Sequence, residues 1–133
     1  IIGVAGSTYM ADNGIWWDDR SKMVGIVEHT NGISTWVSEY SKESKENIIP
    51  VVVLDGLFLA VDCDNITKWD EEIKGFHFYD VDFTISNYLD GLNLGVTTDI
   101  RILHQSVGMI NDAWENNRII FVEKHKNELP IKL

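Results

Sequence analysis

The chain opens on an apolar run, Ile1-Ile2-Gly3-Val4-Ala5, that reads as a buried strand closed by a turn at Gly6-Ser7. Val24-Gly25-Ile26-Val27 predicts a second short strand and Ser34-Thr35-Trp36-Val37-Ser38 a third. Val51-Val52-Val53-Leu54 is continuously apolar and β-branched, as expected of a central strand covered on both faces. Asp55-Gly56 breaks that run before Leu57-Phe58-Leu59-Ala60-Val61 resumes it; Leu94-Gly95-Val96 and Ile100 to His104 are further strand-like runs. Between them the period changes. Val81, Ile85, Tyr88, Leu89 and Leu92 fall on one helical face, and Asp90-Gly91 supplies the stop. Asn111 to Lys126 predicts a C-terminal helix capped by Asn111 or Asp112, and Asp62-Cys63-Asp64-Asn65 a cap for a short helical turn from Ile66 to Trp69. Residues 8–22 have no clean period and are expected to loop over the sheet, while the mixed-charge run from Tyr40 to Asn47 reads as a solvated loop. The expected fold class is α/β: a mixed β-sheet with flanking helices in one domain spanning residues 1–133.

Composition narrows the function classes. With 44% hydrophobic and 11% aromatic residues in 133, the chain is a folded globular one. A net charge of −10 argues against nucleic-acid and anionic-membrane partners, and means that any nucleotide anion would need a metal ion or local cations beside it. The single cysteine, Cys63, excludes an internal disulfide and fits a reducing compartment, and its neighbours Asp62 and Asp64 disfavour a nucleophilic thiolate. No apolar run reaches the length of a membrane span and no signal peptide is visible, so the expected location is cytoplasmic, including the inner face of a membrane as a peripheral protein.

Candidate chemistry gathers where apolar runs end. Asp80 and Asp82 fall at the start of the central helix, where carboxylates are also favoured as caps by free N–H groups and the macrodipole. Asp55 lies between two buried runs, a costly place for a carboxylate unless it is solvated, hydrogen-bonded or bound; the other reading is a turn or bulge at Asp-Gly. Trp16 and Trp17 face opposite ways in extended chain, so one can pack while the other stacks on a sugar ring. His77 can orient a substrate or simply pack, and His29 and His125, without sequence partners, are expected at the surface.

The ordered series Asp55-Gly56, Trp69-Asp70-Glu71-Glu72, Gly75-Phe76-His77-Phe78-Tyr79-Asp80-Val81-Asp82-Phe83, Gly91 and His104 resembles glycosyltransferase family 2. More narrowly, it is similar to the C-terminal, acceptor-binding portion of the GT-A fold in bacterial sugar transferases of polysaccharide biosynthesis. The resemblance implies a nucleotide-sugar donor, a saccharide or other hydroxyl acceptor and, in most such enzymes, inversion at the anomeric carbon. It places the general base on Asp80, the acceptor-side turn on Asp55 and Gly56, and a ligand to a divalent metal, Mn²⁺ or Mg²⁺, on His104. Tyr79, Asp82, Trp17 and His77 complete the expected substrate-binding set. Tyr79 departs from the family pattern, which has an acidic residue there.

The family's nucleotide-binding half and its Asp-x-Asp metal motif have no counterpart in the expected order; Asp62-Cys63-Asp64 has the letters but follows the Asp-Gly strand. The expectation is a partial GT-A domain, inactive or nearly so alone, with the metal held mainly by a half preceding Ile1. An incomplete sheet would leave an edge open to self-association into a homo-oligomer. The alternatives are a non-catalytic saccharide-binding or assembly domain, with Trp16, Trp17 and Trp36 as stacking surfaces, and a metal-dependent hydrolase using Asp80, Asp82 and His104.

Overall fold

A computed structural model describes residues 1–40, 47–64, 66–105 and 108–133. Eleven short strands and two helices follow in the order β1 (Ile2–Gly3), β2 (Ala5–Ser7), β3 (Tyr9–Met10), β4 (Met23–Thr30), β5 (Thr35–Glu39), β6 (Ile49–Val51), β7 (Val53–Leu54), β8 (Leu59–Ala60), α1 (Tyr79–Leu89), β9 (Leu94–Val96), β10 (Leu103–His104), α2 (Asp112–Lys124) and β11 (Ile131–Lys132). The class is α/β, and the sheets are mixed: β1 runs parallel to β9 and β10 to β4, while the other pairings are antiparallel.

Two sheets share the two most apolar runs. One is ordered β6-β9-β1-β8; the other is β10-β4-β2-β7, with β5 added on β4. The chain passes between them at Val4 and again at Val52, which are 1% and 0% exposed. A residue at such a crossing is covered by both sheets, which is why Val51 to Leu54 lack any polar alternation. The β11–β3 ribbon has no forecast in the sequence pattern: Ile131-Lys132 is too short to show a period.

The central helix is buried on more than one side. Val81 and Ile85 are buried as the apolar face predicts, but so are Phe83, Thr84 and Asn87, whereas Leu89 is exposed. Thr84 Oγ1 accepts from the Leu54 N–H at 3.3 Å, tying α1 to β7. Asn87 donates to Phe83 O at 2.8 Å within the helix and accepts from the Thr67 N–H at 2.8 Å outside it. Polar residues with satisfied partners can be buried, and hydropathy alone does not reveal them. Gly91, with φ of 92°, ends the helix in the left-handed conformation that glycine adopts at least cost.

The turn expected from Ile66 to Trp69 is not helical. Its backbone is recruited sideways, Thr67 by Asn87 and Trp69 by stacking on Phe83 at 3.9 Å between ring centroids. Within the proposed cap, Asp62 accepts from the Asp64 N–H at 3.2 Å in a local turn; Asn65 lies outside the described residues, as does most of the mixed-charge run, at 41–46. The other forecast cap is realised: Asn111 accepts from the Trp114 N–H at 3.0 Å and opens α2.

His125, expected at the surface, is buried. Its Nε2 lies 2.8 Å from Oδ1 of Asp82, whose Oδ2 accepts from Lys124 Nζ at 2.8 Å; Lys124 also bonds Asp70 at 2.6 Å. The start of α1 is thereby clasped to the end of α2. Asp82, expected among the substrate-binding residues, is 2% exposed and spent on this clasp. Removing one partner of a buried ionic cluster leaves the others desolvated and uncompensated. Asp82→Ala should therefore cost about 3 kcal/mol and lower the Tm by roughly 10 °C in a thermal melt. A melt within a degree or two of the parent would contradict the clasp.

Candidate active site

The end of β7 and the start of α1 meet at the wall of an open cleft of about 620 Å³. The chain reaches α1 through Phe78, whose φ of 65° is unusual for a bulky residue. Burial of its ring against Trp114 and Phe121 holds that conformation, with centroids 5.3 and 5.5 Å away. Asn117 of α2 fixes the approach by donating to Lys74 O at 2.7 Å and His77 O at 2.8 Å. Neither Asp80 nor Asp82 is the helix cap; both lie in the first turn, two residues apart. That offset sends Asp82 toward α2 and Asp80 toward the cleft.

Asp80 Oδ2 accepts from the Gly56 N–H at 2.6 Å. A Cβ at position 56 would stand 2.6 Å from Asp80 Cβ and 2.7 Å from Oδ2, so only glycine fits. The bare Cα makes room for Asp80, and Gly56 seats that carboxylate. Asp55, beside it, accepts from the Leu57 N–H at 3.0 Å.

Burial raises both carboxyl groups. Asp55 is pushed from 3.8 to about 6, chiefly by desolvation and then by the negative charge of Asp80. Asp80 is raised by desolvation, an effect opposed by backbone N–H groups of Gly56, Val81 and its own residue and by nearby His77. More donors therefore favour the anion of Asp80 than that of Asp55. Tyr79, in place of the family's acidic residue, has its phenol raised by burial and then by Asp80 and Asp55.

Seven of the eight sequence-designated residues line this one cleft: Trp17, Asp55, Gly56, His77, Tyr79, Asp80 and His104. Asp82 does not. The sequence did not single out Trp114, Phe76, Met109 or Ile110, which also line it. Trp114 was legible as a helix residue, but its place 6.0 Å from Trp17, forming an aromatic wall, depends on the loop before β4. Arg118 docks that loop on α2 by donating to Asn13 O at 2.7 Å, leaving Trp16 buried and Trp17 38% exposed.

His104 is half-buried on β10, and its buried Nδ1 has no hydrogen-bond partner among the described residues. Its cross-strand neighbour is His29, expected at the surface but half-buried and stacked on Trp36 at 5.5 Å. Desolvation first, and then His104, lower the pKa of His29. Among the described residues, no three His, Cys, Asp or Glu side chains form a group able to hold a metal ion. The donor set around His104 thus does not by itself fit Mn²⁺ or Mg²⁺, and the hydrolase combination fails because Asp82 faces Lys124 and His125.

A carboxylate pair facing aromatic walls at the end of a sheet defines an α/β domain suited to polyhydroxylated ligands, whose hydroxyls need acceptors and whose C–H faces stack on rings. The family described as "glycosyltransferase like family" matches residues 1–125, and the chain belongs to it. No curated protein and no solved structure matches the chain. Among the described residues, no helix is long and apolar enough to cross a membrane.

Two outcomes follow for the carboxylate pair. Between about pH 4 and 6 the unfolded chain has lost the Asp55 proton while the folded chain retains it, so stability falls as pH rises through that window. The loss should approach about 3 kcal/mol at neutral pH. Asp55→Asn should flatten this slope and raise the Tm above the parent's near neutrality, as melts across the window would show. Gly56→Ala should cost about 1–3 kcal/mol through collision with Asp80. Amide NMR shifts should then change at Gly56 and in the first turn of α1, and an unperturbed spectrum there would contradict the close approach.

Proposed function

We propose that this chain forms the acceptor-binding and catalytic-base portion of a glycosyltransferase that uses a nucleotide-sugar donor. The observation that carries the reading is the Asp80 carboxylate, held by the Gly56 N–H at the wall of an aromatic cleft with its pKa raised. A carboxylate with a raised pKa is a better proton acceptor near neutrality. The acceptor's hydroxyl oxygen attacks the donor's anomeric carbon as the bond to the diphosphate breaks. The nucleoside diphosphate leaves with the electron pair, and the hydroxyl proton passes to Asp80. One displacement without an enzyme nucleophile inverts the anomeric configuration.

The remaining roles follow from placement. Trp17 and Trp114 offer ring faces to the acceptor's C–H surface, and His77 and Tyr79 offer polar groups to its hydroxyls. Asp55, raised to about 6 chiefly by burial, can donate a hydrogen bond below its pKa and accept one above it. Among the described residues, the donor set around His104 does not by itself hold a divalent ion, and the proton transfer to Asp80 does not depend on one. The aromatic wall also supports a second reading, a saccharide-binding domain without turnover.

Asp80→Asn separates the two. It keeps an acceptor for the Gly56 N–H but loses basicity, so kcat for sugar transfer should drop by about 10²–10⁴ with donor KM within about twofold. Transfer from a panel of nucleotide-sugars, assayed in the full-length protein with and without this substitution, checks it. Unchanged turnover in the variant would remove Asp80 as the base; a protein that binds saccharides but never transfers would favour the binding domain.

A further inference from the structure

A second hollow, of about 180 Å³, opens beside the cleft and shares Trp16, Trp17, Asp55, Leu57 and His104 with it. Its lining includes Met23, Val27 and His29 of β4 and His104 of β10, and β5 extends that sheet beyond it. His104 is the register partner of His29, and His29 of Trp36, so the three rings stand in one row across three strands. The centroids are 5.6 Å apart from His104 to His29 and 5.5 Å from His29 to Trp36. Alternation along β4 puts Val27 and Met23 on this same face, and both also line the hollow. The row therefore leads from the cleft wall out along the sheet.

Two details separate this row from ordinary packing. His29 and Trp36 are nearly parallel, at 15°, so His29 props the indole from one side while the indole remains 42% exposed. A ring already held in place loses less freedom when a ligand stacks on it. His104 lines both hollows, and its buried Nδ1 has no hydrogen-bond partner among the described residues. A sugar hydroxyl can donate to such a nitrogen or accept from it, whichever tautomer is present.

We propose that His104, His29 and Trp36 form outer acceptor subsites, so that the acceptor is an oligosaccharide of three or more linked rings whose terminal unit lies at Asp80. This rests on the acceptor-side reading of the cleft. The terminal sugar occupies the cleft, the next lies against His104 in the side hollow, and the third stacks on Trp36. Trp36 is a binding residue here and takes no part in the proton transfer.

Binding without turnover tests the subsites independently of the chemistry. Isothermal titration of the protein, without donor, would use mono-, di-, tri- and tetrasaccharides built from glucose, galactose, N-acetylglucosamine or rhamnose. In at least one series, Kd should fall about tenfold from monosaccharide to trisaccharide. Trp36→Ala should abolish that gain and leave the monosaccharide value unchanged, while Trp36→Phe should restore most of it. Asp80→Asn should keep the whole length dependence. A flat response in every series, absence of binding included, overturns the proposal, as does a length gain that survives Trp36→Ala. A protein that shows the length dependence without transferring sugar retains these subsites and loses the transferase reading. One that transfers sugar with a flat response does the reverse.

Discussion

Everything at the site depends on the close approach of Gly56 to Asp80. A strand end and a helix start are brought so near that no Cβ fits between them, and one N–H···carboxylate bond of 2.6 Å joins them. Charge-assisted bonds of this kind are short and strong, and this one opposes the upward pull that burial exerts on the carboxyl pKa. Tightening is imposed from both sides. Thr84 ties α1 to the same strand, and Phe78 turns the chain into the helix in a conformation that only its packing sustains.

The first turn of α1 divides its two aspartates between different tasks. Asp82 is nearly sealed and its charge is answered by Lys124 and His125, so it serves the geometry of the helix pair. Asp80 has no cation bonded to it, so its charge is answered by backbone N–H groups and by the field of His77. A carboxylate held by N–H dipoles can still take a proton, because losing its charge strands no buried cation. The arrangement separates stability from chemistry within two residues of chain.

The sequence made the outline of this legible where hydropathy changes abruptly. A carboxylate and a glycine interrupting an apolar run marked Asp55 and Gly56, and an aromatic-acidic cluster before a helical period marked Tyr79 and Asp80. What it could not separate was Asp80 from Asp82. Their orientations depend on the helix beginning after Phe78, a left-handed residue that no propensity would place there. His125 was misread for a related reason: its partner is 43 residues away, and only the packing of α2 on α1 brings them together. His29 and Trp36 needed the β4–β5 register, which a short polar-flanked strand specifies weakly. The turn at Ile66 to Trp69 failed because Asn87 and Phe83 hold the chain more firmly than local helix propensity could.

Charge gives the last constraint on what this cleft can hold. Its described lining contains two carboxylates and no lysine or arginine, within a chain of net charge −10. Lys124, the cation nearest the helix start by its bonds, is committed to Asp70 and Asp82. A diphosphate entering such a cleft would meet repulsion from the two carboxylates and no lysine or arginine in the described lining. A neutral sugar meets the opposite conditions: carboxylates that accept from its hydroxyls and indole faces for its C–H surface. The electrostatics therefore supports the acceptor, rather than the donor's phosphates, as the occupant beside Asp80. The raised pKa of Asp55 comes first from burial and then from the charge of Asp80, which no cation in the described lining offsets. Burial raises both carboxyl pKa values, and the described lining offers no lysine or arginine to oppose that shift.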